Sequence, residues 1–164
     1  MDIRKASQQE VSMIMELVKK AVADMISKGI EQWDDIYPNI EVISRDIAEG
    51  NLYVYHDGVI KGIVVLNEYQ DKEYEEVQWE KQCGKPMVIH RLCIAPQSQG
   101  SGIARAFIDF AEEYAKRNEY DSIRLDTFIH NLRACRLYEG KGYKKVGIVT
   151  FRKGEFYCYE KNIV

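Results

Sequence analysis

Apolar residues recur at helical spacing from Val11 to about Lys28, and this pattern predicts the first long amphipathic helix of the chain. Gly29 stands where the apolar pattern ends, as expected for a residue that closes a helix. Ser7 precedes the pattern with Glu10 three residues later, the capping-box arrangement in which each side chain satisfies a backbone N–H group. The chain therefore opens with a helix whose start and end are both marked in the sequence.

Runs of apolar and β-branched residues between turn residues predict the strands. The pairs Asp57-Gly58 and Lys153-Gly154 predict two hairpins, and Pro96 ends the buried strand that precedes it. The predicted strands cover residues 2–5, 51–56, 59–66, 87–95, 122–127, 143–151 and 155–160, and the later helices cover 39–48, 101–117 and 131–141. This order of elements indicates an α/β or α+β fold with a mixed sheet rather than a regular βαβ repeat.

Length and composition are those of a single globular domain spanning residues 1–164. Hydrophobic residues make up 46% of the chain and charged residues 30%. No apolar run approaches the ~20 residues that a transmembrane helix needs, and the N-terminus lacks the apolar stretch of a signal peptide. The four cysteines form no CxxC pair and the three histidines lack helical spacing, so we expect reduced thiols, a cytoplasmic protein and no metal site.

The net charge of -3 is distributed unevenly along the chain. Residues 1–98 carry a net charge of -6, and residues 99–164 carry a net charge of +3. The polar connection over residues 67–85 alone holds six acidic residues against three lysines. An acidic half favours a cationic partner, and a basic half favours an anionic ligand. Because the sequence has no stripe of Lys and Arg with interleaved aromatic residues, it predicts no nucleic-acid partner.

The segment from Leu92 to Arg105 carries the clearest chemical signal. A buried strand enters a turn that contains Gly100 and Gly102, and the turn opens a helix whose unpaired N–H groups can bind phosphate. The Gly-Lys-Ser/Thr ending of a Walker loop is missing, and Arg105 stands where a dinucleotide fingerprint needs its third glycine. Taken alone, the turn fits either a phosphate ligand or a plain connection between strand and helix.

Two motifs resemble the signatures of the GNAT superfamily of acetyl-CoA-dependent N-acetyltransferases. The run from Gln99 to Ala104 resembles the (Arg/Gln)-x-x-Gly-x-(Gly/Ala) motif, and a Leu-x-Ile-x-Pro segment precedes it. The run from Asn131 to Tyr143 resembles the second signature, Asn-x-x-Ala-x-x-x-Tyr-x-x-x-Gly-(Phe/Tyr). The resemblance implies a GNAT-like fold, with a mixed, mostly antiparallel sheet of six or seven strands flanked by about four helices.

The resemblance implies that the first motif binds acetyl-CoA, the acyl donor. The pantetheine arm would pair with the backbone of three strand residues, Leu92, Cys93 and Ile94. The pyrophosphate would be held by the main-chain N–H groups of six turn residues, Gln99, Gly100, Ser101, Gly102, Ile103 and Ala104. Arg105 is placed to add positive charge there. The family reacts by direct attack in a ternary complex, so the cysteines are expected to pack rather than to act as nucleophiles.

The second motif implies roles for Asn131, as a hydrogen-bond partner of the pantetheine arm, and for Tyr138, as the donor of a proton to the leaving CoA thiolate. Spacing supports a shared function independently, because Asn131, Ala134 and Tyr138 lie on one face of a helix. The alternative for Tyr138 is a buried core tyrosine whose hydroxyl group finds a backbone partner.

The sequence identifies the base that takes the proton of the amine, and the pocket that binds the amine, less clearly than the cofactor site. His90, on the strand before the cofactor contacts, and Glu68, at the end of the preceding strand, are candidate bases, and ordered water is the third. The aromatic residues Trp33 and Tyr37 are candidates for the wall of the acceptor pocket, or they anchor the helices to the sheet.

The sequence therefore predicts an acetyl-CoA-dependent N-acetyltransferase acting on a primary amine of a small molecule or a peptide. The acidic connection over residues 67–85 favours a cationic amine. The alternative function is a non-catalytic module that binds or senses acyl-CoA. No metal, nucleic acid or membrane is expected to take part, and a second copy of the chain is a candidate partner.

Overall fold

The computed structural model describes residues 2–163, and it confirms the predicted order of elements. The elements are β1 (Asp2–Lys5), α1 (Val11–Ser27), α2 (Ile40–Ala48), β2 (Leu52–Asp57), β3 (Val59–Asn67), β4 (Pro86–Ile94), α3 (Ile103–Arg117), β5 (Ser122–Phe128), α4 (Leu132–Gly140), β6 (Lys144–Phe151) and β7 (Gly154–Asn162). The strands lie in the sheet in the order β1-β2-β3-β4-β5-β7-β6, with β4 and β5 parallel and the pairs β1–β2, β2–β3, β5–β7 and β6–β7 antiparallel. The mixed, mostly antiparallel sheet with four helices is the predicted fold class.

Most element boundaries agree with the prediction to within one residue, and two differ by two residues for physical reasons. Helix α3 begins at Ile103 rather than at residue 101, because Gly102 adopts φ +87°, a left-handed conformation that a right-handed helix cannot include. Strand β7 extends to Asn162, because it pairs with β5 as far as Ser122.

The described residues form two compact units, and we describe each by itself. The first comprises residues 2–66 and 91–107, and the second comprises residues 67–90 and 108–163. Elements β4 and α3 each contribute residues to both units.

The core of the first unit lies between helices α1 and α2 and the strands β2 and β3. Ile14 of α1, Ile43 of α2 and Val54 of β2 are each fully buried in it. The helices contribute their apolar stripe and the strands contribute alternate residues to this cluster, Leu52 and Val54 from β2 and Ile63 and Val65 from β3. Each such isoleucine contributes roughly 2–3 kcal/mol of burial free energy.

Strand β3 passes close to the end of β4 at Gly62. A Cβ atom at this position would lie 2.9 Å from side-chain atoms of both Ile94 and Phe107, and 3.1 Å from the carbonyl oxygen of Cys93. A glycine is therefore required for β3 to approach the segment Leu92–Ile94 closely.

In the second unit, the acidic connection between β3 and β4 is ordered against β5 and β7. It forms a short 3-10 helix, Lys72–Glu76, and buries the rings of Tyr74 and Trp79. The buried Glu160 carboxylate accepts the backbone N–H group of Glu80 at 2.7 Å. Charge counting alone predicts a solvated loop here, whereas two aromatic rings and a buried carboxylate fix its path.

Within residues 2–163, no helix combines the length and the apolar character needed to cross a membrane.

The capping box at Glu10 makes a pH-dependent contribution to stability. Its carboxylate accepts the Ser7 N–H group at 2.9 Å and forms a 2.8 Å ion pair with Arg4, and these contacts, led by the Arg4 hydrogen bonds, lower its pKa from 4.5 to about 2. A lowered carboxyl pKa stabilises the fold above the pKa of the unfolded chain, and this stabilisation is lost as the pH falls toward 2.

We therefore expect Glu10→Gln to lower the free energy of unfolding by about 1 kcal/mol at pH 7, and by much less at pH 2.5. Chemical denaturation at the two pH values measures the difference. Glu16→Gln is the control, because Glu16 is 71% exposed and lies 3.9 Å from Lys20. An equal loss for Glu10→Gln at both pH values would contradict the assignment.

Candidate active site

The turn after β4 has the backbone geometry expected of an anion-binding loop. Gly100 and Gly102 adopt φ +81° and +87°, and a Cβ atom at Gly102 would meet nothing within 4 Å. The Ser101 hydroxyl group donates to the carbonyl oxygen of Ser98, which holds the turn closed. Both glycines are therefore required for conformation, and the backbone at Gly102 is open to a ligand.

The first residues of α3 present unpaired N–H groups beside this turn. The first intrahelical bond runs from the Ala106 N–H group to the carbonyl oxygen of Gly102 at 3.0 Å, so the N–H groups of Ile103, Ala104 and Arg105 precede it. The Arg105 side chain is exposed and makes no ion pair with any residue in the range 2–163. The open backbone at Gly102, the unpaired N–H groups at the start of α3 and the positive charge of Arg105 together fit a phosphate group.

The strand residues before the turn are fixed by the core of the first unit. Cys93 is 5% exposed, and burial raises the pKa of its thiol to about 12. It is therefore a neutral packing residue at pH 7, and any contact of Cys93 with a ligand would come from its backbone. The Ala95 N–H group donates to the carbonyl oxygen of Lys61 at 2.8 Å, which ties the end of the strand to β3.

Sequence reasoning missed an ion pair just before these residues. Arg91 adopts φ +50°, unusual for a residue other than glycine, and its guanidinium group donates to both carboxylate oxygens of Asp46 at 2.7 and 2.8 Å. A third N–H donates to the Tyr37 hydroxyl group at 2.7 Å. The pair holds the backbone in a left-handed conformation at the residue before Leu92.

A signal for this pair was present in the sequence. Arg91 interrupts an otherwise apolar strand, and Asp46 lies beside Ile47 on the buried face of α2, where it is 4% exposed. Burial raises the pKa of the Asp46 carboxyl group, and the two donors from Arg91 oppose this effect. A charged residue on an apolar face predicts a buried partner, but not which residue the partner is.

The predicted acceptor residues differ in their environments. Trp33 is 8% exposed and belongs to the core of the first unit, the packing role that the sequence left as its alternative. Tyr37 is 37% exposed and accepts the Arg91 hydrogen bond. The assignment of both to an acceptor pocket stays a prediction, and Tyr37 is the one of the two with a ring open to solvent.

In the second unit, Asn131 and Tyr138 lie at the two ends of α4. The Asn131 side-chain oxygen accepts the Ala134 N–H group at 3.2 Å and so caps the helix. Tyr138 is 6% exposed, and its ring lies 5.9 Å from that of Tyr159 and 6.1 Å from that of Tyr143.

The Tyr138 hydroxyl group has no hydrogen-bond partner among residues 2–163. Burial, with the nearby charge of Asp126, raises its pKa above the ordinary tyrosine value. The group is thus fully protonated at pH 7. The role of Tyr138 as proton donor stays a prediction, and so does its alternative as a core tyrosine.

The two candidate bases are both engaged with neighbours. His90 Nε2 lies 3.1 Å from the carbonyl oxygen of Tyr69, to which a protonated Nε2 would donate. Glu68 is exposed, accepts the Tyr120 hydroxyl group at 2.8 Å and lies 3.9 Å from the Lys85 ammonium group. Neither contact tests the proposed role, which stays a prediction for both residues.

Comparisons with known proteins agree with the two motifs. A model of the Acetyltransferase (GNAT) family matches residues 16–143. An acetyltransferase of the GNAT family from Streptococcus agalactiae is 27% identical, with TM-score 0.86 over 98% of this chain and 94% of that one. PaiA N-acetyltransferase from Thermoplasma acidophilum, solved in complex with coenzyme A, shares the fold at 16% identity, with TM-score 0.74 over 98% of both chains.

A curated relative, streptothricin acetyltransferase from Escherichia coli, is 33% identical over 63 residues, which is 38% of this chain and 36% of that protein. The chain thus spans about a third of the length of this relative.

The ion pair in the first unit predicts a large effect of a small substitution. Asp46→Asn removes the charge that neutralises the buried Arg91, so we expect the free energy of unfolding to fall by about 3 kcal/mol. Glu41→Gln, an exposed charge change on the same helix, should stay within about 0.5 kcal/mol of the parent. Chemical denaturation of the two variants at pH 7 makes the comparison, and equal stabilities would refute a structural role for the pair.

Proposed function

Because the chain belongs to the GNAT acetyltransferase family, we propose that it transfers an acetyl group from acetyl-CoA to a primary amine. The observation that carries the proposal is the turn at Gly100 and Gly102, which presents open backbone and orphan N–H groups at the start of α3. This is the chemistry that the pyrophosphate of coenzyme A requires. The Walker-loop and dinucleotide alternatives find no comparable support in the motifs.

Residues of the first unit would hold the acyl donor. The backbone of Leu92, Cys93 and Ile94 would pair with the pantetheine arm as an added strand does. The turn residues Gln99, Gly100, Ser101, Gly102, Ile103 and Ala104 would donate N–H groups to the pyrophosphate, and Arg105 would add a positive charge. The ion pair of Arg91 with Asp46 supports this arrangement, because it fixes the backbone at the residue that precedes the strand contacts.

Transfer requires that the amine lose a proton and that the sulfur leaving group gain one. Tyr138 would donate to the developing thiolate, since burial keeps its hydroxyl group protonated and no described residue occupies it. Asn131 would hydrogen-bond the pantetheine arm. The tetrahedral oxyanion needs an N–H donor, and the backbone of Leu92 or Cys93 would supply it.

The proton of the amine would pass to His90, to Glu68 or to ordered water. The Nε2 atom of His90 lies 3.1 Å from the carbonyl oxygen of Tyr69, so in this arrangement Nδ1 is the nitrogen that would have to take the proton. Tyr37 and Trp33 would contribute to the side of the acceptor. The amine is the substrate class, and direct attack within a ternary complex is the mechanism that needs no nucleophilic thiol.

Gly102→Ala tests the turn with a matched control. Gly102 and Gly29 both adopt positive φ angles, +87° and +76°, and both have nothing within 4 Å of a built Cβ atom. Each alanine variant should therefore lose about 1 kcal/mol of stability from the backbone alone. We expect only Gly102→Ala to raise the KM for acetyl-CoA, by about tenfold, in a steady-state thiol-release assay. Similar KM values for the two variants would argue against binding at the turn.

Tyr138→Phe tests the proton donor. Loss of one general acid should lower kcat by about 100-fold, with little change in the KM for acetyl-CoA. The control is Tyr143→Phe. The Tyr143 ring lies beside that of Tyr138, and its hydroxyl group donates a 3.0 Å hydrogen bond to Glu112. Unchanged turnover in Tyr138→Phe would remove the assigned role.

The same thiol-release assay, run over a panel of amines, separates the enzyme from a module that only binds acyl-CoA. An enzyme releases the thiol faster than buffer with at least one amine. Binding of acetyl-CoA without release for any amine in the panel would favour the binding module.

A further inference from the structure

A cavity of about 400 Å³ lies in the second unit, between the acidic connection and strand β5. Its volume is within the range of small-molecule sites. The lining residues that bear on its chemistry are Gln70, Asp71, Tyr74, Glu75, Trp79 and Arg124. No role in acetyl transfer has yet been given to any of them.

Two buried aromatic rings make the cavity wall rigid. Tyr74 is 2% exposed and donates its hydroxyl proton to Asp126 at 2.5 Å. The Trp79 indole N–H group donates to the carbonyl oxygen of Tyr74 at 3.0 Å, and the two rings lie 5.1 Å apart. The cavity is therefore formed before any ligand binds, which lowers the entropic cost of binding.

The one cation in the lining is already neutralised. The guanidinium group of Arg124 stacks on Trp79 at 4.4 Å and lies 3.7 Å from the buried Glu160 carboxylate. Its terminal N–H groups donate to the side-chain oxygen of Gln70 at 2.7 Å and to the carbonyl oxygen of Lys81 at 2.8 Å. Arg124 thus acts as part of the wall, with its charge offset by Glu160.

Two of the lining residues carry carboxylate side chains. Asp71 and Glu75 both line it, and Glu75 is exposed at its surface. With Arg124 and Glu160 offsetting each other, the lining carries a net negative charge. A cavity with rigid aromatic walls and two carboxylates is complementary to an alkylammonium or guanidinium group.

We infer that this cavity binds the distal basic group of a dibasic acceptor, a small diamine or guanidinoalkylamine; this inference rests on the proposed function. The nitrogen that is acetylated must lose its proton, so an ion pair with a carboxylate would oppose its reaction. A second basic group carries no such conflict and can stay charged in the cavity. Substrates with one amine would lack this anchor.

A link between the cavity and the proposed proton donor runs through Asp126. This carboxylate accepts the Tyr74 hydroxyl group of the cavity wall, and its charge adds to burial, the larger cause, in raising the pKa of Tyr138. A ligand that contacts Tyr74 would therefore be connected to Tyr138 through two side chains, Tyr74 and the Asp126 carboxylate.

Neighbouring acids on the 3-10 helix supply a matched pair of variants. Glu75→Gln and Glu76→Gln remove the same charge one residue apart, from exposed side chains, but only Glu75 lines the cavity. The probes are 1,4-diaminobutane and 1-aminobutane, which share a chain length and differ by one charge. Isothermal titration calorimetry measures their binding to the whole protein without acetyl-CoA, at low and at high salt.

We expect the diamine to bind more tightly than the monoamine, and added salt to weaken it. Glu75→Gln should weaken diamine binding about threefold and the double variant Asp71→Asn with Glu75→Gln about tenfold, while Glu76→Gln changes it by less than twofold. In the thiol-release assay the KM for the diamine should rise by the same factors. Equal effects of Glu75→Gln and Glu76→Gln would overturn the inference, because they would show only a general attraction to acidic charge.

Failure of this inference and failure of the proposed function give different results. If monoamines and diamines release thiol equally well and Glu75→Gln changes neither KM, the acetyltransferase stands and the cavity assignment falls. If the diamine binds with the predicted dependence on Glu75 but no amine releases thiol, the cavity binds a cation. Both the acetyltransferase function and the assignment of that cation as its acceptor are then wrong.

Discussion

The ion pair between Arg91 and Asp46 is the interaction on which the geometry of the first unit most depends. Strand β4 contains one residue in a left-handed backbone conformation, Arg91 with φ +50°, directly before Leu92. Such a conformation costs on the order of 1 kcal/mol for a residue with a side chain. Two short charge-assisted hydrogen bonds to a buried carboxylate hold it in place. The ion pair thus offsets both the strain at the strand and the cost of burying a charge on helix α2.

A second buried pair, Arg124 with Glu160, has a comparable position in the second unit. Here the guanidinium and carboxylate groups bind the connection after β3 through backbone atoms, at the carbonyl oxygen of Lys81 and the N–H group of Glu80. Both units therefore use an arginine within the sheet to fix a segment that regular secondary structure does not hold. Burying these charges is costly in itself, and each pair is stable because nearly all of its polar atoms are hydrogen-bonded or paired.

Local patterns predicted most of the fold and the two motifs of the candidate site. Helical spacing and turn residues depend on neighbours a few positions apart, so they can be read without a structure. The ion pair of Asp46 with Arg91 joins residues 45 positions apart, and the contact of Arg124 with Gln70 joins residues 54 apart. No periodicity records such contacts. The sequence therefore marked a charged residue on an apolar face, while its partner and the cavity beside Trp79 required the structure.

The way Glu160 holds the acidic connection has a consequence for how this fold can diversify. Its two oxygens accept main-chain N–H groups, those of Glu80 and Lys81, at 2.7 and 3.4 Å, so the anchor is indifferent to which side chains those residues carry. Exposed positions such as Glu75 and Gln82 can then change without loosening the segment. Substitutions at the rim of the cavity therefore have little effect on the stability of the fold. If the cavity binds the acceptor as proposed, single substitutions there would change the acceptor preference while the scaffold stays unchanged.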